Sequence, residues 1–316
     1  MSRHSLVLGE SLVDAVRTRG TVTEHVGGSP MNVAVGLARL GHRTVLGSWW
    51  GRDARGARIE QTVAAAGAGI LPGSDGASFT TVAHAHIDAD KNASYTFDLD
   101  PGIAPLTDLR GATHIHTGSL GAVLDPGGEA IAAAVAASRD TATISYDPNA
   151  RPSLMGTAEQ VRVRMEALIS LADVVKASDD DVAWLYPAVP VEQVMAAWAA
   201  RGPALVVITL GAAGSLSLVP GATEPAHVPP LASAVNDTVG AGDSFMAGLL
   251  GGLLDAGLLG SVEARERLRT ASWADVASAV RRATSTAAIT VSHDGAYAPT
   301  PDEVTALMAL GGSTES

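Results

Sequence analysis

The chain has 316 residues, 47% of them hydrophobic and 17% charged, which supports a sizeable core and argues against disorder. A formal net charge of −12 argues against a nucleic-acid surface or an anionic membrane as partner. With no cysteine, disulfides, thiolate nucleophiles and zinc–thiolate sites are excluded.

Met1-Ser2-Arg3-His4-Ser5 runs directly into a short strand without a signal-peptide pattern, so a cytoplasmic enzyme is expected. Buried strands are read at Leu6-Val7-Leu8-Gly9, Thr44-Val45-Leu46-Gly47, Thr113 to Thr117, Ala142 to Tyr146, Val174-Val175-Lys176 and Leu205-Val206-Val207-Ile208. Between them, residues 32–40, 58–67, 128–139, 157–171 and 191–201 read as helices. This alternation predicts one α/β domain over residues 1–316, a mostly parallel sheet covered on both faces. Ligands of such folds bind beyond the carboxyl ends of the strands. The longest apolar stretch, Phe245 to Gly260, is interrupted by Asp255 and is too short to span a membrane.

Two segments, 12–26 and 79–99, lack helical periodicity. The second alternates through Thr81 to Asp88, turns at Asp90-Lys91-Asn92 and continues through Ser94 to Phe97, as a hairpin would. Together they are expected to form a small sheet that closes over a site as a lid. Val82 and Ile87 fall on opposite faces of that hairpin, so one apolar face is left for a partner and a lid-to-lid homodimer is expected. The tail from Gly311 to Ser316 is expected to fray.

The most informative run is Asn236-Asp237-Thr238-Val239-Gly240-Ala241-Gly242-Asp243-Ser244-Phe245. Glycines 240 and 242 let backbone N–H groups converge at a helix start, an anion nest reinforced by the helix dipole. A carboxylate there competes with a bound phosphate, unless Asp243 faces a hydroxyl and takes its proton as phosphate arrives. That points to a kinase for a small alcohol; the plainer reading of Asp243 is a first-turn cap. Far upstream, Gly27-Gly28-Ser29-Pro30-Met31-Asn32 opens a helix: the glycines allow a substrate against the backbone and Asn32 offers both donor and acceptor. A loop with an N-cap is the alternative reading. Asp14, just past the first strand, can accept bonds from two neighbouring sugar hydroxyls or stand as an exposed lid-edge carboxylate.

Taken in this order, these elements resemble the ribokinase-like carbohydrate kinases (the PfkB group), most closely its fructokinase-like members, from Gly9-Glu10 to Gly295. Tyr146-Asp147-Pro148-Asn149-Ala150-Arg151-Pro152 is similar to the family's Asp-Pro-Asn-x-Arg stretch. Lys176 to Asp181 and Thr209 to Gly214 resemble its nucleotide-side runs. The resemblance implies a three-layer α/β/α fold with a small β-sheet lid. It implies Asp243 as base and the N–H groups of Gly240, Ala241 and Gly242 as anion hole. Asp14, Gly27, Gly28, Asn32 and Phe97 would hold the sugar. Ser178, Thr209, Gly211, Gly214 and Thr284 would line ATP, with Arg151 near the phosphates. Asp237, Val239, Thr290 and Gly295 match positions that help hold a monovalent cation such as K+, and Mg2+ would accompany the nucleotide.

The chain departs from the family pattern in two places. Ser178-x-x-Asp181 replaces the common Asn-x-x-Glu, which weakens the case for magnesium-water contacts there. Phe97 is followed by Asp98-Leu99-Asp100 where fructokinase-like lids often carry Arg, which puts fructose itself in question. The expectation is ATP-dependent phosphorylation of a primary hydroxyl of a small sugar, fructose or a related ketose. The alternatives are a kinase for a 2-keto-3-deoxy sugar acid or a nucleoside, and a catalytically idle binding protein. His84-Ala85-His86 and His114-Ile115-His116 each place two imidazoles on one strand face, but without a third acidic ligand at helical spacing a metal site is not expected. Gly118-Ser119 marks the active end of its strand and would let His116 face the pocket. The tryptophans at 49, 50, 184, 198 and 273 read as packing.

Overall fold

Leu6, Ile115, Ile144, Val175 and Val206 are fully buried, as strands covered on both faces require. A computed structural model describes residues 3–18, 21–87, 93–109, 111–231 and 234–311. The strands are β1 (His4–Leu8), β2 (Leu12–Thr18), β3 (Thr21–Gly27), β4 (Thr44–Gly47), β5 (Gly69–Ile70), β6 (Val82–Ile87) and β7 (Ala93–Asp98). They continue as β8 (Ala112–Gly118), β9 (Thr143–Asp147), β10 (Val174–Ser178), β11 (Leu205–Thr209), β12 (Ser215–Leu218) and β13 (Ala226–Val228). The helices are α1 (Ser29–Arg39), α2 (Ala54–Ala65), α3 (Gly127–Ser138), α4 (Pro152–Met155), α5 (Ala158–Leu171) and α6 (Asp179–Leu185). They are followed by α7 (Val191–Ala199), α8 (Ala241–Asp255), α9 (Val262–Arg269), α10 (Trp273–Val291) and α11 (Pro301–Gly311).

Among the described residues the strands form two sheets. The larger has nine strands in the order β13-β12-β11-β10-β9-β8-β1-β4-β5, parallel except where β12 and β13 add antiparallel pairs at one edge. One face is covered by α1, α8 and α10, the other by α3, α5 and α7. Successive strands are added on opposite sides of β1, so the crevice beyond its carboxyl end is a topological switch point. Within the described residues no helix is long and apolar enough to cross a membrane.

The second sheet has the order β3-β2-β6-β7, as the pairing of segments 12–26 and 79–99 predicts. His25, Asp14, Ala83 and Phe97 face one another in register and make one cross-strand row on a single face. The expected turn at Asp90-Lys91-Asn92, the side chain of Ile87 and the tail beyond Gly311 lie outside the described residues. Val82, the other residue behind the dimer expectation, is buried at 1% exposure.

Among the differences from the sequence reading, three trace to polar chemistry. Helix α2 starts four residues before residue 58 because the Asp53 carboxylate accepts from Arg55 N and Gly56 N and caps it. Strands β12 and β13 are short, and their Ser and His residues hide the alternation. Helix α10 is 19 residues long but studded with Thr and Ser, which blurs its apolar stripe.

The two imidazoles of β8 are fully buried against hydroxyls of β9. His114 Nδ1 lies 2.9 Å from Thr143 Oγ1 and its Nε2 3.0 Å from Ser145 Oγ, which is also 2.9 Å from His116 Nδ1. His84 instead pairs with Asp98 at 2.9 Å, and among the described residues no cluster could hold a metal ion. Burial pushes His114 down to about 4 and His116 to about 3. Below the ordinary 6.5, the unfolded chain takes up protons here that the folded chain refuses. Their stabilisation is therefore complete above pH 6.5 and is lost as pH falls from there through 4 and 3. Each imidazole should lower the unfolding free energy by about 1.4 kcal/mol per pH unit within that window. Denaturant unfolding from pH 8 downward, with NMR of the imidazoles, checks this; either ring titrating near 6.5 contradicts it.

Candidate active site

The turn before α8 is stitched into place from both ends. Asp237 Oδ1 accepts from Val239 N at 3.0 Å and Oδ2 from Gly295 N at 2.9 Å, while Asn236 N donates to Val291 O at 2.7 Å. Those N–H bonds hold the Asp237 carboxyl below the usual carboxylate range. Gly240 then takes φ 76°, a left-handed conformation that glycine adopts without strain, and a Cβ there would stand 2.5 Å from Ala296 Cβ. Of the three N–H groups expected to form the anion hole, that of Ala241 turns back to Thr238 O at 3.2 Å. Gly242 thus begins the run of α8 N–H groups that lack intrahelical acceptors.

Asp243 is buried and is not the cap of its helix. It is 8% exposed, and Gly240 is the N-cap residue of α8. Its Oδ1 accepts from Ser29 Oγ at 2.7 Å and its Oδ2 from Asn32 Nδ2 at 2.8 Å, both on the first turn of α1. Asn32, expected against sugar, therefore has one of its two amide hydrogens committed to the carboxylate. Small residues permit this meeting: a Cβ on Gly36 would stand 2.6 Å from Ala247 Cβ, so α1 and α8 lie in close contact.

On the acceptor side, Gly28 at φ 110° precedes α1 with its Cα against the Glu10 backbone, and Gly27 lies over Asp14 Oδ2. Burial raises the Asp14 carboxyl, opposed by the charges of His25 and Arg151. Glu10 was not anticipated as a site residue. Its Oε2 accepts from Gly121 N at 2.7 Å, burial raises its carboxyl, and Ser119, Gly121 and Arg151 pull it back. Its position directly after β1 was the available signal. Phe97 belongs to the same cross-strand row as Asp14. Arg151, expected near phosphates, lies within electrostatic reach of Asp14 and Glu10, its Nη1 donating to Asn149 Oδ1 at 2.7 Å.

On the other side, Ser178 ends β10 and caps α6: its Oγ accepts from Asp181 N at 3.0 Å. Asp181 Oδ2 accepts from Ser178 N and Oδ1 from Ala150 N, so both oxygens are engaged. Thr209 ends β11, and the turn through Gly211 (φ 53°) to Gly214 (φ 91°) closes with Leu210 N donating to Gly214 O at 2.7 Å. Thr284 is buried in α10 with its hydroxyl donating to Val280 O, so it presents no free donor. Thr290 Oγ1 lies 2.7 Å from Ser244 Oγ and 2.8 Å from Tyr297 O, tying α8 to the loop that carries Gly295. Val239 has an exposed side chain, leaving its backbone as its contribution to a cation site.

An acceptor row, a buried carboxylate and a glycine turn are thus gathered at the switch point. The pfkB family carbohydrate kinase model matches residues 4–303. The chain belongs to that family. It is 30% identical over 262 residues to a fructokinase from Klebsiella pneumoniae, covering 80% of this chain and 85% of that one. A fructokinase double mutant from Vibrio cholerae O395, in fructose-, ADP- and potassium-bound form, superposes with TM-score 0.79 at 26% identity, covering 97% of this chain and 98% of that one. Aminoimidazole riboside kinase from Salmonella enterica, complexed with aminoimidazole riboside and an ATP analogue, shares the fold at TM-score 0.79 and 24% identity, covering 97% and 100%. The chain is a carbohydrate kinase with a ribokinase-like fold.

Gly240→Ala tests the turn directly. An added Cβ meets Ala296 and forces a left-handed alanine, so stability should fall by about 1–3 kcal/mol and turnover should collapse with it. Gly67→Ala, at φ 81° with open space around it, is the control that carries backbone strain alone. Equal activity in the two variants would show that the turn has no special geometry.

Proposed function

We propose that this kinase transfers the γ-phosphoryl group of ATP to a primary hydroxyl of a small sugar, fructose or a related ketose. The observation that carries the reading is Asp243, set in the anion turn and held from behind by Ser29 and Asn32 of the acceptor-side helix. In the step, the sugar hydroxyl loses its proton to Asp243, its oxygen bonds to the γ-phosphorus, and the bond to the bridging oxygen breaks to release ADP. The Gly240 to Gly242 turn would receive the charge developing on the phosphoryl oxygens. Asp14, Gly27, Gly28 and Phe97 would hold the sugar; Ser178, Thr209, Gly211 and Gly214 would border the nucleotide.

Arg151 has Asp14 and Glu10 as counter-charges, which weighs against a sugar acid as acceptor. The idle-protein alternative leaves the placement of Asp243 unexplained. Mg2+ would arrive on the nucleotide phosphates, where it would neutralise charge. The four-stranded sheet would act as the lid, excluding water as sugar binds, and is also the proposed dimer contact.

Asp243→Asn should lower turnover by about three orders of magnitude in a folded protein. It should also cost about 1 kcal/mol of stability, because one of its two accepted hydrogen bonds is lost. ADP release over a panel of sugars and nucleosides reads both the activity and the acceptor. Near-wild-type turnover in the variant would remove Asp243 as base.

Beside the turn, the ionised Asp237 carboxylate, which accepts from Val239 N and Gly295 N, would attract a monovalent cation through its charge. Such a cation would stiffen both and supply fixed positive charge beside the anion hole. Potassium should therefore accelerate turnover more than lithium. Rates unchanged after exhaustive exchange into a bulky organic cation would rule this out.

A further inference from the structure

Directly behind the anion turn lies a buried ion pair to which the reaction scheme above gives no role. Lys176 on β10 is 4% exposed, and its Nζ donates to Asp147 Oδ2 of β9 at 2.9 Å. Asp147 is fully buried, and its second oxygen, Oδ1, has no hydrogen-bond partner. A Cβ built on Gly242 would stand 3.1 Å from that Nζ, so the ammonium sits against the back of the phosphate-facing backbone. Asp181 and Asp243 add to Asp147 in holding Lys176 charged.

Stability does not account for this arrangement. A buried ion pair commonly gains little over apolar residues of the same volume, and an unsatisfied oxygen makes it less favourable still. Position does account for it. A positive charge in a low-dielectric interior, a few ångströms behind the first free N–H groups of α8, acts on the same point as the helix dipole. Absence of a side chain at 242 leaves room for the ammonium and for a close phosphate.

We propose that Lys176 is a further positioning residue for phosphoryl transfer: a buried ammonium that adds standing positive charge behind the Gly240 to Gly242 turn. Asp147 is its tether, holding it off Asp243 so that the base is not neutralised by its neighbour. This rests on the phosphotransfer reading of the site. Lys176 acts through the backbone of the turn, so it favours charge that develops in the transition state over ground-state binding of the sugar.

The experiment compares Lys176→Met, Lys176→Arg and the doubly neutral Lys176→Met with Asp147→Asn. The last keeps volume and leaves no lone buried charge, so it folds even where the single methionine variant does not. Both methionine variants should lose about a hundred-fold in kcat with the sugar KM changed less than about two-fold. Lys176→Arg, which keeps the charge, should recover about ten-fold or more of that loss. Calorimetry with inorganic phosphate reads the same charge without chemistry, and binding should weaken at least about five-fold in the neutral double variant. A folded double variant with kcat within about three-fold of wild type overturns the proposal, as does unchanged phosphate binding. Wild-type protein that phosphorylates no acceptor would refute the kinase reading instead, and the phosphate measurement would still decide on Lys176.

Discussion

The carboxylate of Asp243 is shared between two helix starts that lie 214 residues apart in the chain, and much of the active-site geometry follows from that sharing. Ser29 and Asn32 hold it from α1; the αL turn at Gly240 delivers it from α8. Two such bonds at 2.7 and 2.8 Å are short enough only if the helices themselves come close. They do so because α8 is built of small residues on both flanks. Gly36 admits Ala247 on one side, and on the other Gly248 and Gly252 lie against Ala283 and Ala279 of α10. The same glycines that make α8 a poor helix by propensity make it a well-packed one. Its stability therefore comes from tertiary contact, and Asp243 is placed by packing rather than by local preference.

The electrostatics of the crevice run against the sign of the molecule. Five carboxylates crowd it: Glu10, Asp14, Asp147, Asp181 and Asp243. Burial raises those of Glu10 and Asp14. A polyanionic nucleotide would be repelled there without compensation, and compensation is arranged in layers. Arg151 answers Asp14 and Glu10 on the acceptor side; Lys176 answers Asp147 beneath the turn. The bare N–H groups of α8 then carry the remaining positive potential where no carboxylate oxygen intrudes. Net charge, useful for excluding nucleic acid, says nothing about this local reversal.

What the sequence discloses follows the range of the forces involved. The parallel strands were legible because each is an uninterrupted apolar run, and the anion turn because left-handed glycine before a helix has few other uses. The small sheet was legible from the period-two alternation of residues 79–99. The choice between cap and base at Asp243 was not legible, since both readings need the same residue in the same first turn. Only the cap is ruled out, by Ser29 and Asn32, which take both carboxylate oxygens and which no local window contains. Lys176 was invisible for a related reason: a lysine inside an apolar strand is an anomaly, but its partner on β9 and its place behind Gly242 are three-dimensional facts. Ser178 went the other way. It fits a nucleotide-side position by pattern, and its hydrogen bonds are those of a capping box.

Helix α1 and the turn before α8 are coupled through this connectivity. Asp237 joins the turn to the loop at Gly295, and Thr290 joins that loop to Ser244, one residue beyond Asp243. Tyr297 stacks on His293 with Arg39 of α1 over its ring, so the loop is also fastened to the helix that carries Ser29 and Asn32. A ring of contacts thus runs α1, Asp243, α8, Thr290, Tyr297 and back to α1 through Arg39. Phosphoryl transfer asks little covalent chemistry of a protein and a great deal of positioning. A ring of hydrogen bonds closed by one cation–π contact, around one buried carboxylate, is a structure suited to that demand.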